Sequence, residues 1–440
     1  MPTPPAAPPT PPVARREPVE TTVWGTTRVD PFRWLQDREA EEVRAHLEAE
    51  NAYTEAMLAP VAELRERLYE EIKGRIKETD LSVPVPDGPW AYYGRTVEGQ
   101  QYGIHCRRPV PVDGSYPSIP DADPDGPSDE QILLDENVEA GDSEFFEIGI
   151  FDVSPDHRWL VWGADRTGDE RFRAVVRDLE TGVDIDDGLD ALSYGSAWAN
   201  DNRTFFYVRP DEANRPNEVW RHVVGRPASE DELIHREDDE RFFVGVSVDK
   251  DQSFIQNGVT SKVTDEVSVI PADDPDAEPR LIAARRQGVE YAVAHHDDRF
   301  VILTNDEAEN FRVVTAADTD PASEKWEELI PGSDTVTISG FDVSASHLVL
   351  FERTEGSTRI RLRRWSDGSY LTVDQPEVPS TTWPGANPDP DAGTLRYGYS
   401  SMVTPTTLFL LEKATGERQL LKRQEVLGGF EPSDYRTTRE

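Results

Sequence analysis

The stretch Phe151 to Gly182, FDVSPDHRWLVWGADRTGDERFRAVVRDLETG, decides how the remaining sequence is read. Ser154-Pro155-Asp156 turns the chain into the apolar run Trp159-Leu160-Val161-Trp162, and Asp178-Leu179-Glu180-Thr181-Gly182 closes a second hairpin. The pattern recurs. Trp198–Tyr207, Val244–Ile255, Tyr291–Leu303, Phe341–Phe351 and Trp383–Tyr397 each read as strand, polar turn, strand. Their turn residues Asp156, Asp201, Asp249, Asp297, Ser346 and Asp391 are spaced by roughly 45 to 50 residues, the period of four-stranded propeller blades. A single blade leaves apolar faces open, so such units must pack in a ring.

Composition limits the partners. A formal net charge of −40 excludes nucleic acid, because phosphate binding needs a basic surface, and disfavours anionic membranes for the same reason. The carboxylates are spread over the whole length, lysine is confined to seven positions, and hydrophobic residues still make up 36%. That distribution points to a halophile-like protein of a salt-accumulating cytoplasm, where counter-ions screen self-repulsion. The expected outcome of a melting series is a midpoint that rises with added salt.

The single cysteine, Cys106, rules out an internal disulfide, fits a reducing compartment and reads as a small buried strand residue. Prolines fill the N-terminus where a signal peptide needs an apolar core, and no run is long enough to span a bilayer, so the expected location is cytoplasmic.

Taken in order, residues 1–15 read as a disordered Pro-rich tail and 16–80 as an α-helical arm. In the arm, Asp30-Pro31-Phe32-Arg33-Trp34-Leu35 supplies aromatic anchors, and a helix from Glu39 to about Leu58 is separated by Pro60 from a second. The second carries an apolar stripe, Val61, Leu64, Leu68, Ile72 and Ile76, which needs a partner. Residues 81–423 read as the propeller. Its first blade contains Trp90–Tyr93, Tyr102–Arg107 and Ile132–Leu134, interrupted by an exposed Pro109–Glu130 loop, and brings the total to seven. Val301–Leu303, Leu348–Phe351 and Leu408–Leu411 read as inner strands covered on both faces. Residues 424–440 leave the ring as a linker. The fold class is therefore mainly β, a seven-bladed propeller preceded by a helical arm.

A search for chemistry finds little. No window gives the G-x-S-x-G elbow; Gly245–Asp249 and Gly398–Met402 each lack the second glycine and sit in strand patterns. His295-His296-Asp297-Asp298 has metal-ligand types, but adjacent side chains converge poorly on one ion, and a solvated turn is the simpler reading. Glu230–Glu232 and Glu237–Glu240 read as solvated loops, and no phosphate-binding glycine loop occurs. Neither a metal nor a cofactor is expected.

Many ordered stretches carry a family resemblance: Asp30–Leu35, Tyr102–Pro109, Leu134–Asn137, Thr167–Phe172, Trp198–Asp201, Val219–His222, Trp326–Pro331, Leu395–Tyr399 and Leu421–Val426. Through them the chain resembles the N-terminal part of oligopeptidase B, or protease II, in the prolyl oligopeptidase family of serine peptidases. The resemblance implies a propeller lid that admits only short peptides, cleavage after arginine or lysine, and an α/β-hydrolase domain on which the helical arm packs. It also implies that the Ser-Asp-His triad follows the propeller, so catalytic residues are expected outside these 440 residues and the chain alone is expected to be inactive. The loop Asp165–Arg171 is implied to reach toward that domain and the peptide's amino end, which makes Glu170 the candidate substrate-binding residue, an acceptor for a peptide ammonium or an arginine. A surface hairpin is the plainer alternative for this loop. For the whole chain the competing expectation is a non-catalytic propeller that binds peptides or proteins.

Overall fold

The computed structural model describes residues 9–120 and 126–439, so most of the proline-rich tail and the middle of the Pro109–Glu130 loop lie outside the described residues. Contacts divide the chain into two units, one running to Lys77 with Val426–Gly429, the other Glu78–Glu425 with Phe430–Glu440.

In the first unit the strands Val19–Val23 and Thr26–Asp30 pair antiparallel. Trp24 (φ 49°) and Gly25 (φ 77°) form the turn, both in the left-handed region that suits a two-residue hairpin. This hairpin lies where the sequence reading expected only a helical arm. Two α-helices follow, Glu41–Leu58 and Ala62–Lys73, joined by a short 3₁₀ turn holding Pro60. Glu41 and Glu42 place negative charge on the first helix's N-terminal dipole. Trp34 Nε1 donates to the Arg15 carbonyl at 2.8 Å and its ring meets His46, which fixes the aromatic anchor. The stripe Val61, Leu64, Leu68, Ile72 and Ile76 is exposed throughout, as an unpartnered apolar face would be.

The second unit is a propeller of seven antiparallel sheets. Blade 1 has an inner strand broken into Asp80–Leu81 and Val85–Asp87, then Trp90–Thr96, Ile104–Pro109 and Gln131–Asp135. Blade 2 is Glu147–Val153, Trp159–Asp165, Phe172–Asp178 and Val183–Leu192. The inner strands of blades 3 to 7 are Ser196–Trp198, Phe243–Val248, Tyr291–His296, Val336–Val343 and Thr381–Pro384.

The continuous apolar runs have a simple cause. Trp159–Asp165 sends Val161 into a cluster shared with blade 3 and Leu160 and Trp162 into one shared with blade 1. A strand covered by neighbours on both faces has no reason to alternate with polar residues. The same holds for Arg299–Thr304 and His347–Thr354, whose alternate residues face different blades. These are second strands, and Leu408–Leu411 belongs to a third, Thr407–Glu412; none is the inner strand expected, because the inner strands border the axis.

Each successive pair from blades 1–2 to blades 6–7 shares an apolar cluster. Where blade 7 meets blade 1, no apolar cluster is shared among the described residues, and polar contacts cross the seam. Arg396 Nη1 donates to the carbonyls of Val83 (3.1 Å) and Pro84 (3.5 Å), and Lys422 Nζ reaches Asp80 Oδ2 and the Leu81 carbonyl, both at 2.5 Å. A cavity of about 610 Å³ lies in the same seam, bordered by Tyr116, Asp389 and Arg418.

The recurring turn residues all lie at one end of the ring, between the first and second strands of their blades. Asp156 and Asp201 each accept the N–H two residues on (3.1 and 2.9 Å), with a left-handed residue between. In blade 4 that role falls to Asp251, which accepts from Ser253 N at 3.0 Å, rather than to Asp249 as the spacing suggested. Cys106 is buried, and burial is the main reason its thiol is pushed up to about 12. Among the described residues no helix is long and apolar enough to cross a membrane.

Candidate functional site

The loop between the second and third strands of blade 2 is built on Asp165, which is 1% exposed. Its carboxylate accepts the backbone N–H groups of Thr167 (2.7 Å), Gly168 (3.0 Å) and Glu170 (2.8 Å), plus the Thr167 hydroxyl. Burial is the largest influence and opposes ionisation, but these donors outweigh it and hold the carboxyl below its usual range. The ring of bonds bends the backbone so that Glu170 sits at φ 58°, with its side chain exposed. Arg171 donates to the Asp211 carbonyl (2.7 Å) and Asn214 to the Asp169 carbonyl (2.9 Å), tying the loop to blade 3.

Since strands alternate in direction, this loop lies at the end opposite the repeated turns, where the chain enters at Asp80 and leaves after Arg423. At the same end Phe145, Tyr194 and Phe243 flank the starts of inner strands and are 38 to 49% exposed. Tyr194 stacks edge-on against Phe172, the residue that begins the strand after the Glu170 loop. A cavity of about 720 Å³ is lined by Trp162, Asp165, Arg166, Asp169 and Arg171; Glu170 does not line it. The arrangement presents two exposed carboxylates, Asp169 and Glu170, beside aromatic surface, which suits capture of a cation.

Ser247 and Ser400 lie in strands. Ser346 Oγ and His347 Nδ1 are 2.9 Å apart, yet they are sequence neighbours in a repeated turn, and no carboxylate is recorded orienting the imidazole. Burial together with Lys413 and Arg364 keeps that imidazole below its ordinary pKa. A nucleophile, a base and an orienting acid do not come together here.

Two readings of acidic and histidine clusters need correction. His295 and His296 are buried at a strand end, not in a solvated turn: His295 Nδ1 meets Asp251 at 2.7 Å and His296 stacks on Trp365. Asp231 and Glu237 are not loop-surface charges either. Asp231 bonds to buried His222 (2.8 Å) and to the Tyr207 hydroxyl (2.8 Å), and Glu237 pairs with Arg285. His222 and the Tyr207 hydroxyl satisfy Asp231, and the half-buried Arg285 satisfies Glu237, which run-length alone does not reveal.

With the ring and its two ends described, its class is defined: residues 11–424 match the family described as prolyl oligopeptidase, N-terminal β-propeller domain. The chain belongs to that family. It is 37% identical over 440 residues to dipeptidyl aminopeptidase BI of Pseudoxanthomonas mexicana, covering 99% of this chain and 60% of that protein. It is 30% identical to protease 2 of Moraxella lacunata, over 97% of this chain and 60% of the relative. Among solved structures, oligopeptidase B from Trypanosoma brucei, closed with covalently bound antipain, superposes with a TM-score of 0.87 at 31% identity, over 96% of this chain and 62% of that one. The chain thus spans about three fifths of the length of the proteins it matches.

Proposed function

We propose that this chain is the propeller portion of an oligopeptidase that cleaves short peptides after arginine or lysine, the ring limiting substrate size while an α/β-hydrolase domain performs the chemistry. The observation that carries this reading is the match to oligopeptidase B over 96% of the chain with a TM-score of 0.87. On this reading the purified chain alone does not hydrolyse an arginyl peptide ester, and turnover blocked by a serine-directed inhibitor would defeat it.

A second reading follows from the 37% identity to a dipeptidyl aminopeptidase. Under it the enzyme releases residues from a free amino end, and Glu170 receives the peptide's ammonium group. The role of Glu170 is tested on an enzyme that joins this chain to a catalytic domain. Glu170→Gln raises KM about two- to fivefold for peptides with a free amino terminus, the range of one exposed ion pair, and leaves N-acetylated peptides unaffected. Equal KM values for the variant and the parent would remove Glu170 from substrate binding. A non-catalytic peptide-binding propeller remains the reading to adopt if no catalytic domain restores hydrolysis.

A further inference from the structure

At the end of the ring opposite Glu170, a cavity of about 640 Å³ is bordered by residues of blades 1, 2, 4, 6 and 7. Only the axis of the ring is shared by so many blades. Four carboxyls, Asp87, Asp152, Asp249 and Asp342, border it with a single ammonium, that of Lys250. Lys250 Nζ spans from blade 4 to blade 6 and lies 2.8 Å from both Asp342 oxygens. Among the described ion pairs none involves the other three carboxyls.

Asp249 is the unusual member. Its N–H bonds to the Phe254 carbonyl as the N–H groups of Ser154, Ala199 and Ser344 bond to the first residue of their blades' second strands. The position is therefore the same in four blades, and the others fill it with a small neutral residue. In blade 4 it holds a carboxyl only 3% exposed. Its Oδ1 accepts from Gln256 Nε2 (2.5 Å) and His295 N (3.2 Å), while Oδ2 has no partner. Oδ1 thus ties blade 4 to the inner strand of blade 5, whereas a buried carboxyl oxygen left without a partner is costly. Burial is also the main influence pushing Asp249 and Asp152 up to about 7, with Asp251 adding to the effect at Asp249.

Among the described residues no three acidic, histidine or cysteine side chains converge as a metal ion demands. Carboxyls spread around a cavity of this volume suit an extended organic cation instead. We propose that the axial cavity bordered by Asp87, Asp152 and Asp249 binds the guanidinium or ammonium side chains of basic peptides, with Lys250 as the resident cation that such a ligand competes against at Asp342. The natural ligand rests on the substrate class proposed above; the site itself rests on the cavity and on Asp249.

Calorimetric titration of the intact 440-residue chain tests this, with acetyl-Arg-Arg-amide and its citrulline counterpart as probes in about 0.15 M salt, where distant surface charges are largely screened. The arginine peptide is expected to fill one saturable site and the citrulline peptide none. Asp249→Asn raises Kd about tenfold or more, Lys250→Met lowers it, and Glu240→Gln on the exposed surface leaves it unchanged. Equal affinity for both probes, an unchanged Kd in Asp249→Asn, or displacement of the peptide by calcium chloride alone would overturn the proposal. Should Asp249→Asn fail to fold, absence of tighter binding in Lys250→Met overturns it equally. The titration needs no catalysis, so a joined enzyme without preference for basic residues, but with this binding intact, would remove only the functional reading.

Discussion

Phe172→Ala lowers the unfolding free energy of the propeller by about 3–5 kcal/mol, the range for truncating a fully buried aromatic in a core that cannot collapse around the void. Phe172 is 0% exposed and packs with Ile150, Val161, Trp198 and Phe205 across the junction of blades 2 and 3. Its ring also occupies the space over Gly149, where an added Cβ would lie 2.1 Å from Phe172 Cζ. The inner strand of blade 2 is thus shaped around this ring, and its loss leaves a gap that only backbone movement can close. The measurement is the denaturant midpoint at unchanged slope. A loss below about 1 kcal/mol would mean that the junction repacks freely, contrary to the close fit at Gly149. Phe172 directly follows Arg171 and supports Tyr194, so the same variant is expected to loosen the Glu170 loop.

Arg396→Ala is expected to cost about 2–4 kcal/mol, through loss of charge-assisted bonds and burial of acceptors left without a donor. Arg396 is 7% exposed on the second strand of blade 7 and donates to the Val83 and Pro84 carbonyls of blade 1. Elsewhere an apolar cluster would compensate for one lost polar contact. At this seam the remaining recorded ties are those of Lys422 to Asp80 and Leu81. Hydrogen exchange should therefore rise first in Trp90–Thr96 and Thr394–Ser400, the second strands of blades 1 and 7, with the junction of blades 3 and 4 little changed. Exchange that rises evenly around the ring would show that Arg396 does not close it.

The architecture was legible because its signals are local. Asp156 and Asp201 really turn the chain, and runs such as Trp159–Trp162 are apolar because neighbouring blades cover both faces. The hairpin around Trp24-Gly25 was also within reach, since glycine in a two-residue turn between threonine- and valine-rich strands is a hairpin signature. Burial of charge was not legible. Whether Asp231 faces water depends on His222 and Tyr207 folding over it. The axial cavity is farther still from any motif, because Asp87, Asp152, Asp249 and Asp342 come from four blades and meet only once the ring exists. Asp249 stands out in the sequence as a turn residue, and its hydrogen bonding places it two residues before the turn aspartate Asp251, just past the strand end.

The ring's uneven joints bear on how the polypeptide is made. Six oily interfaces link neighbours in the order of synthesis, so each can set as its second member emerges from the ribosome, without waiting for distant sequence. The seventh joins Asp80 to Lys422 and can form only after the last blade has been translated. A growing ring would then be a stable open arc until blade 7 emerges, fastened by Arg396 and Lys422 where the other joints are fastened by grease.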